Sequence, residues 1–223
     1  DPKKILQINH HLAHAASAYY SSNFKSSAIL IADGNGSDLE TNSFFLAKGN
    51  KIKLLENYKY YGIGAAYGAV TSQILNLGTG GEGKTMGLAP YGSFNKNIKI
   101  NFKVDGIKTN FKEFMLRLPF SDVLNQINSN FRPDPIRIKL KAANKKNIMN
   151  KKYADWAYMI QNVSEKIMIK LGKSLYEKTK NKNLCLAGGV ALNSVANEKL
   201  FQKNKYKDIF IFPACSDAGI PYG

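Results

Sequence analysis

Two spacings of apolar residues recur along this chain of 223 residues. Short apolar runs bounded by turn residues predict strands at 27–32, 183–187 and 209–212, and a brief buried strand at 5–9. Segments 42–47 and 52–58 predict two more, joined as a hairpin through Lys48-Gly49-Asn50-Lys51. Helical spacing predicts helices over 11–22, 65–77, 153–180 and 190–201. In 65–77, Val70, Ile74 and Leu77 share a side. In 153–180, Trp156, Ile160, Val163, Ile167, Leu171 and Leu175 form a stripe that reads as core. A glycine-rich loop at 78–83 leads into 84–89, which stops at Pro90-Tyr91-Gly92. Residues 93–150 carry the weakest pattern, with a strand or two expected near 98–104. The order is that of a mixed α/β unit, with antiparallel strands early and helices packed on the sheet. No internal repeat and no low-complexity linker divides it.

Composition narrows the class. The apolar and charged fractions, 44% and 22%, are those of a globular protein. No apolar run approaches the roughly 18 residues that span a bilayer. Cys185 and Cys215 are too few and too isolated for a disulfide framework or a thiolate metal site, and read as buried thiols in a reducing cytoplasm. The formal charge of +16 raises the question of nucleic acid. Basic residues are dense at 137–141, Lys145-Lys146 and Lys151-Lys152. The excess is mostly lysine, without aromatic interleaving, and reads as a solvated surface that favours anionic substrates. The N-terminal Asp1-Pro2-Lys3-Lys4-Ile5 and the C-terminal Pro221-Tyr222-Gly223 both suggest a fragment of a longer protein.

All three histidines fall within five residues, His10-His11-Leu12-Ala13-His14. On a helix, His10 and His14 share one face, about 5–6 Å apart at Cβ, within reach of one metal ion. A pair of helix-surface histidines without a ligand role has the same spacing. Three predicted strands end in Gly and Asp: Asp33-Gly34, Gly188-Gly189 and Asp217-Ala218-Gly219. In open α/β sheets, ligands gather beyond the carboxyl ends of strands. Asp33 and Asp217 could therefore complete a mixed nitrogen and oxygen ligand set suited to Fe, Mn or Zn, or serve as turn and capping residues. Glu82-Gly83-Lys84 closes the glycine-rich loop. There Lys84 could balance phosphate charge, although the spacing is not that of a Walker A loop.

Together these segments resemble the N-terminal domain of the O-carbamoyltransferase family, which includes nodulation-factor and antibiotic-tailoring enzymes. The matching segments are His10 to Tyr20, Asp33-Gly34-Asn35-Gly36, Glu82-Gly83-Lys84-Thr85-Met86-Gly87-Leu88-Ala89-Pro90-Tyr91-Gly92, Leu184 to Asn193, and 213–219. They stand in the family's order across nearly the whole chain. Ser216 before Asp217, and Ile220-Pro221 after Gly219, depart from the family's usual last motif.

The resemblance implies an actin-like, sugar-kinase-like ATPase fold, a mixed sheet with flanking helices, incomplete at both ends. Residues 1–223 would be a partial carbamoyl-transfer domain, with a phosphate-loop hairpin upstream and an adenylate-forming domain downstream. It implies a divalent metal, Fe2+ foremost, held by His10, His14, Asp33 and Asp217. Gly34, Glu82, Lys84, Gly188, Gly189 and Asn193 would bind ATP or carbamoyl-adenylate. His11 and Lys84 are the candidate catalytic residues, His11 as a base or a brace behind the ligands. Carbamoyl phosphate, ATP and a hydroxyl-bearing sugar or natural product would be the partners, in the cytoplasm, with no membrane or nucleic acid, and with a homodimer left open. The fragment alone is expected to be inactive. The alternatives are a threonylcarbamoyl transferase-like protein acting on tRNA, and a nucleotide- or RNA-binding module without catalysis.

Overall fold

A computed structural model of the chain describes residues 6–118 and 140–223. Its centre is a five-stranded mixed sheet. The strands are β1 (Ser26–Ala32), β2 (Glu40–Lys48), β3 (Lys51–Lys59), β6 (Asn183–Ala187) and β7 (Asp208–Ile211), in the order β3-β2-β1-β6-β7. β1, β2 and β3 run antiparallel in succession, while β6 and β7 lie parallel to β1. The small pair β4 (Lys103–Asp105) and β5 (Lys108–Asn110) stands apart as its own hairpin.

Burial explains the two kinds of strand. β1 pairs on both edges, and from Ser27 onward every residue is buried, so it reads as one apolar run. β3 is an edge strand; its exposed Lys51, Lys53 and Lys59 discourage pairing with another chain. Helices α1 (His10–Ser21) and α5 (Lys151–Thr179) both pack against β1. Buried Ala13, Ala15, Ala16 and Ala18 let α1 lie close to the sheet. The apolar stripe of α5, from Trp156 through Leu175, enters the core as its spacing predicts. The remaining helices are α2 (Ile63–Ala69), α3 (Glu82–Leu88), α4 (Lys112–Leu116) and α6 (Ser194–Lys203). No helix among the described residues is long and apolar enough to cross a membrane.

Mixed α/β architecture with early antiparallel strands and helices on the sheet is what the sequence pattern predicts. Several details differ. The strand expected at 5–9 begins outside the described residues. Residues 6–9 are irregular, with Leu6 82% exposed, because no described strand runs beside them and Asn9 instead caps α1. The helix expected over 65–77 begins at Ile63 and widens into a π-helical turn, Val70–Ile74, closed by the Leu75 amide donating to the Val70 carbonyl. Glu82 and Gly83 belong to α3 rather than to the loop. The strands expected near 98–104 form later, around a turn at Gly106, where φ is +56°. The helix expected over 190–201 is a 3-10 turn, Gly189–Leu192, a break at Asn193, and then α6. Of the basic stretch 137–141, residues 137–139 lie outside the described residues.

Candidate metal centre and adjoining cavity

The Asn9 side chain accepts from the Leu12 amide at 3.0 Å, which fixes where α1 begins and sets His10 and His14 one turn apart. Asp33 is the first residue beyond β1, and Asp217 opens the 3-10 segment Asp217–Tyr222, which packs on α1. Four points distant in sequence thereby meet. His10 Nε2 lies 3.2 Å from Asp33 Oδ2 and 3.4 Å from Asp217 Oδ1. His14 Nε2 lies 3.4 Å from each of the same two oxygens. One donor atom from each of the four residues falls within 4.8 Å of all the others.

Asp33 is held by both of its oxygens. Oδ1 accepts from the Gly34 amide at 2.7 Å and the Gly189 amide at 3.0 Å, leaving Oδ2 for the histidines. Burial would raise its pKa, but the adjacent His14 and the two amides prevail and hold it at about 2. It is a carboxylate throughout the physiological range. Two glycines make this possible. Gly188 sits at φ +89° with its Cα so close to β1 that a Cβ would stand 2.4 Å from the Ala32 carbonyl. At Gly64 a Cβ would meet the Asp33 carbonyl at the same distance, so α2 approaches the end of β1 only because that residue has no side chain.

His14 is fully buried, and neither of its ring nitrogens has a hydrogen-bond partner of normal geometry. Asp217, by contrast, has a side chain 72% exposed. His11 turns the other way. Its Nδ1 lies 2.7 Å from Ser43 Oγ on β2, and burial drives its pKa down to about 4 against the pull of Asp33 and Glu40. It is a neutral, enclosed imidazole that braces α1 on the sheet. The expectation that His11 could act as a base therefore does not fit its surroundings.

A cavity of about 760 Å3 opens beside this cluster. Its wall includes Asp33, Gly34, Glu82, Gly189, Asn193 and Asp217. Of the remaining expected binding residues, Gly188 sits behind this wall and Lys84 is exposed on α3; neither lines the cavity. The correction for Lys84 has a simple cause: α3 begins at Glu82, so helical rotation turns Glu82 and Met86, at i and i+4, toward the cavity while Lys84 faces solvent.

The sequence reading missed the part of the site contributed by α5. Ser164 lines the cavity, is 1% exposed, and its hydroxyl has no partner. Tyr67 of α2, also on the wall, donates to Gln161 Oε1 at 2.9 Å. Gln161 and Asn193 exchange two hydrogen bonds, and Gln161 also donates to buried Glu165, which pairs with Lys199 of α6. One signal was available: Gln161, Ser164 and Glu165 recur at i, i+3 and i+4, a polar face inside an otherwise apolar stretch of helix.

With this geometry in view, comparison with known proteins is informative. A family model described as Carbamoyltransferase N-terminus matches residues 1–223. A protein of Synechocystis sp. whose role is uncharacterised is 35% identical over 98% of this chain and 35% of its own length. The nodulation protein NolNO of Sinorhizobium fredii is 31% identical over all of this chain and 31% of its own length. The nodulation protein NolO of Bradyrhizobium diazoefficiens is 29% identical over 97% of this chain and 37% of its own length. The chain thus spans about a third of the length of these curated relatives. Among solved structures, HypF of T. kodakarensis superimposes with a TM-score of 0.53 at 16% identity, over 97% of this chain and 36% of that one. Full-length HypF in a phosphate- and nucleotide-bound form gives 0.50 at 12% identity, over 99% and 42%. At such identities the likeness is one of fold.

Proposed function

The chain belongs to the carbamoyltransferase N-terminus family, and from that premise we propose that it is the carbamoyl-transfer part of an ATP-dependent O-carbamoyltransferase. The donor is a carbamoyl-adenylate, made from carbamoyl phosphate and ATP with the help of a further domain of the longer protein. An acceptor hydroxyl oxygen attacks the carbamoyl carbon, the bond from that carbon to the adenylate oxygen breaks, AMP leaves, and the hydroxyl proton passes to a base. The acceptor is a sugar or natural-product hydroxyl.

The observation that carries this reading is the convergence of His10, His14, Asp33 and Asp217 beside a cavity walled by the Gly34 and Gly189 turns. The donor set fits a divalent metal. Ligand bonds of about 2.0–2.2 Å place neighbouring donors about 3.0–3.4 Å apart; the four nitrogen-to-oxygen separations here are 3.2 to 3.4 Å, and the whole donor set lies within 4.8 Å. The ion would take up His14 Nε2, a buried ring nitrogen that has no hydrogen-bond partner. His10, His14, Asp33 and Asp217 would hold the ion, Fe2+ being the first choice for a nitrogen and oxygen set in this family. Bound there, it supplies Lewis-acid polarisation of carbamoyl or phosphate oxygens.

The chain's own residues account for placement. Asp33 ties the turn after β1 to the turn after β6 through the Gly34 and Gly189 amides, so the two strand ends face the ligand as one surface. Ile63, Met86, Val190 and Leu192 give the cavity apolar walls that limit water around a hydrolysable donor. Its volume is in the range of pockets that enclose a nucleotide-sized ligand.

The test is incubation of metal-loaded full-length protein with carbamoyl phosphate, ATP and a panel of sugars and aminoglycosides, read by mass spectrometry. ATP-dependent carbamoylation of a hydroxyl is expected. Failure to consume carbamoyl phosphate with ATP, together with salt-sensitive retention on tRNA, would move the assignment to the tRNA-directed or RNA-binding alternatives.

A further inference from the structure

One side chain behind the cavity joins two of its lining residues, Tyr67 and Asn193, and carries no chemistry of its own. Gln161, about a third of the way along α5, makes four side-chain hydrogen bonds. Its Oε1 accepts from the Tyr67 hydroxyl at 2.9 Å and from Asn193 Nδ2 at 2.8 Å. Its Nε2 donates to Asn193 Oδ1 at 3.1 Å and to Glu165 Oε1 at 3.0 Å. Every strong donor and acceptor of this carboxamide is used.

Its orientation follows from its neighbours. Lys199 pairs with the other oxygen of Glu165. A flipped Gln161 would set its carbonyl against that carboxylate, acceptor against acceptor, so Nε2 must face Glu165. Gln161 Nε2 then requires an oxygen from Asn193. The Ala196 amide makes the same demand independently, donating to Asn193 Oδ1 at 3.0 Å at the start of α6. Two unrelated constraints therefore agree on which way Asn193 points. One Nδ2 hydrogen of Asn193 goes to Gln161, and the other is what this cavity-lining, half-buried side chain can offer a ligand.

We propose that Gln161, oriented by Tyr67 and by the Glu165–Lys199 pair, is a positioning residue that fixes Asn193 as a hydrogen-bond donor to the nucleotide in the cavity. The inference rests on the proposed function for the nature of that ligand. At this point the site takes a ligand acceptor, a ring nitrogen or a hydroxyl or carbonyl oxygen, and disfavours a donor. A mistaken Asn193 orientation would break both the cap of α6 and the pair with Gln161.

The experiment uses full-length protein with two replacements. Gln161→Leu keeps most of the volume and removes all four bonds. The exchange Gln161→Glu with Glu165→Gln keeps acceptors for Tyr67 and Asn193 Nδ2 at position 161 and a donor from position 165, but faces Asn193 Oδ1 with an acceptor instead of a donor. ATP affinity, read by calorimetry, is expected to fall about tenfold in Gln161→Leu and by at least about threefold in the exchanged pair. Crystal structures of the parent and of Gln161→Leu should show the Asn193 carboxamide turned in the variant alone. Bound metal, measured by mass spectrometry, should stay equal in all three proteins. An unmoved Asn193 or an unchanged ATP affinity in Gln161→Leu would overturn the assignment. Full affinity in the exchanged pair would do the same, because that pair lacks the donor that Asn193 Oδ1 meets at position 161. If Asn193 turns but the parent protein takes up no ATP, the positioning stands and the nucleotide reading fails.

Discussion

Two walls of one cavity are built on opposite chemical plans. On one, His10, His14, Asp33 and Asp217 bring two imidazole nitrogens and two carboxylate oxygens together, and His14 has no normal hydrogen bond at either nitrogen. On the other, Tyr67, Gln161, Asn193, Glu165 and Lys199 satisfy one another donor to acceptor. The first wall is electrostatically incomplete and calls for a cation. The second is complete before any ligand arrives, and what it offers a ligand is direction. A partly satisfied buried polar group is costly, so the contrast separates a wall that waits for a partner from one already organised.

The sharpest way to break the comparison is to remove the unsatisfied histidine. His14→Ala in the full-length protein should reduce bound metal to below about a tenth of the parent's, since one of four ligands is lost from a buried position. Chelation should lower the melting temperature of the parent and leave that of His14→Ala unmoved. With metal at about a hundred times its Kd, the parent's loss is about 2.7 kcal/mol, or roughly 5–11 °C for a domain of this size. A parent protein insensitive to chelator, or a variant that retains its metal, would make the first wall an ordinary hydrogen-bonded cluster.

Next in size is a change in the hinge shared by the two walls. Gly188 ends β6, and the Gly189 amide that follows reaches Asp33 on one side while Asn193 stands on the other. Gly188→Ala would place a Cβ 2.4 Å from the Ala32 carbonyl at φ +89°. The backbone strain alone is on the order of 1–3 kcal/mol, and the clash with main chain adds to it. Urea unfolding should show the midpoint displaced by at least that much. A neutral outcome would mean that β1 and β6 can separate at this end without loss.

How legible these walls are in the sequence differs for physical reasons. The first could be read because its candidate ligands are rare residue types at recognisable places: histidines one helical turn apart, and aspartates at strand ends. β1 and β6 could be read because burial on both faces makes them continuous apolar runs bounded by glycine. The second wall was hidden because Gln161, Ser164 and Glu165 are common on any helix, and their meaning depends on Asn193 and Lys199 arriving from a distant helix. Lys84 was misplaced because its motif shows a charge near a glycine loop but not the rotation of a helix that begins at Glu82. His11 was ambiguous for a related reason. Adjacent histidines on a helix point about 100° apart, and whether the odd one meets solvent or Ser43 depends on where β2 packs.

A subtler test weighs the exposed ligand against the buried one. Asp217→Asn keeps a ligand oxygen but removes a charge, at a side chain 72% exposed. Water can replace much of what is lost, so metal retention should weaken by about tenfold, less than for His14→Ala. Competition with a chelator of graded strength measures it. Equal losses in the two variants would show that charge count, and not enclosure, governs the first wall.

The smallest expected effect concerns a buried hydroxyl on the second side that its neighbours leave unsatisfied. Ser164 projects from α5 between Gln161 and Glu165 in helical register, yet its buried hydroxyl has no partner while both neighbours do. An unpaired buried hydroxyl costs about 1–3 kcal/mol, so Ser164→Ala should leave the unliganded full-length protein as stable or slightly more stable. If the hydroxyl is kept for a ligand atom, the same change should weaken ATP binding by about two- to tenfold, the worth of one neutral hydrogen bond. The two measurements thus move in opposite directions, which loss of packing cannot produce, because deleting a packing group lowers both. Thermal unfolding without ligand and calorimetry with ATP give the pair of values. A variant that loses stability and affinity together would place Ser164 with its satisfied neighbours and remove this exception to the contrast between the walls.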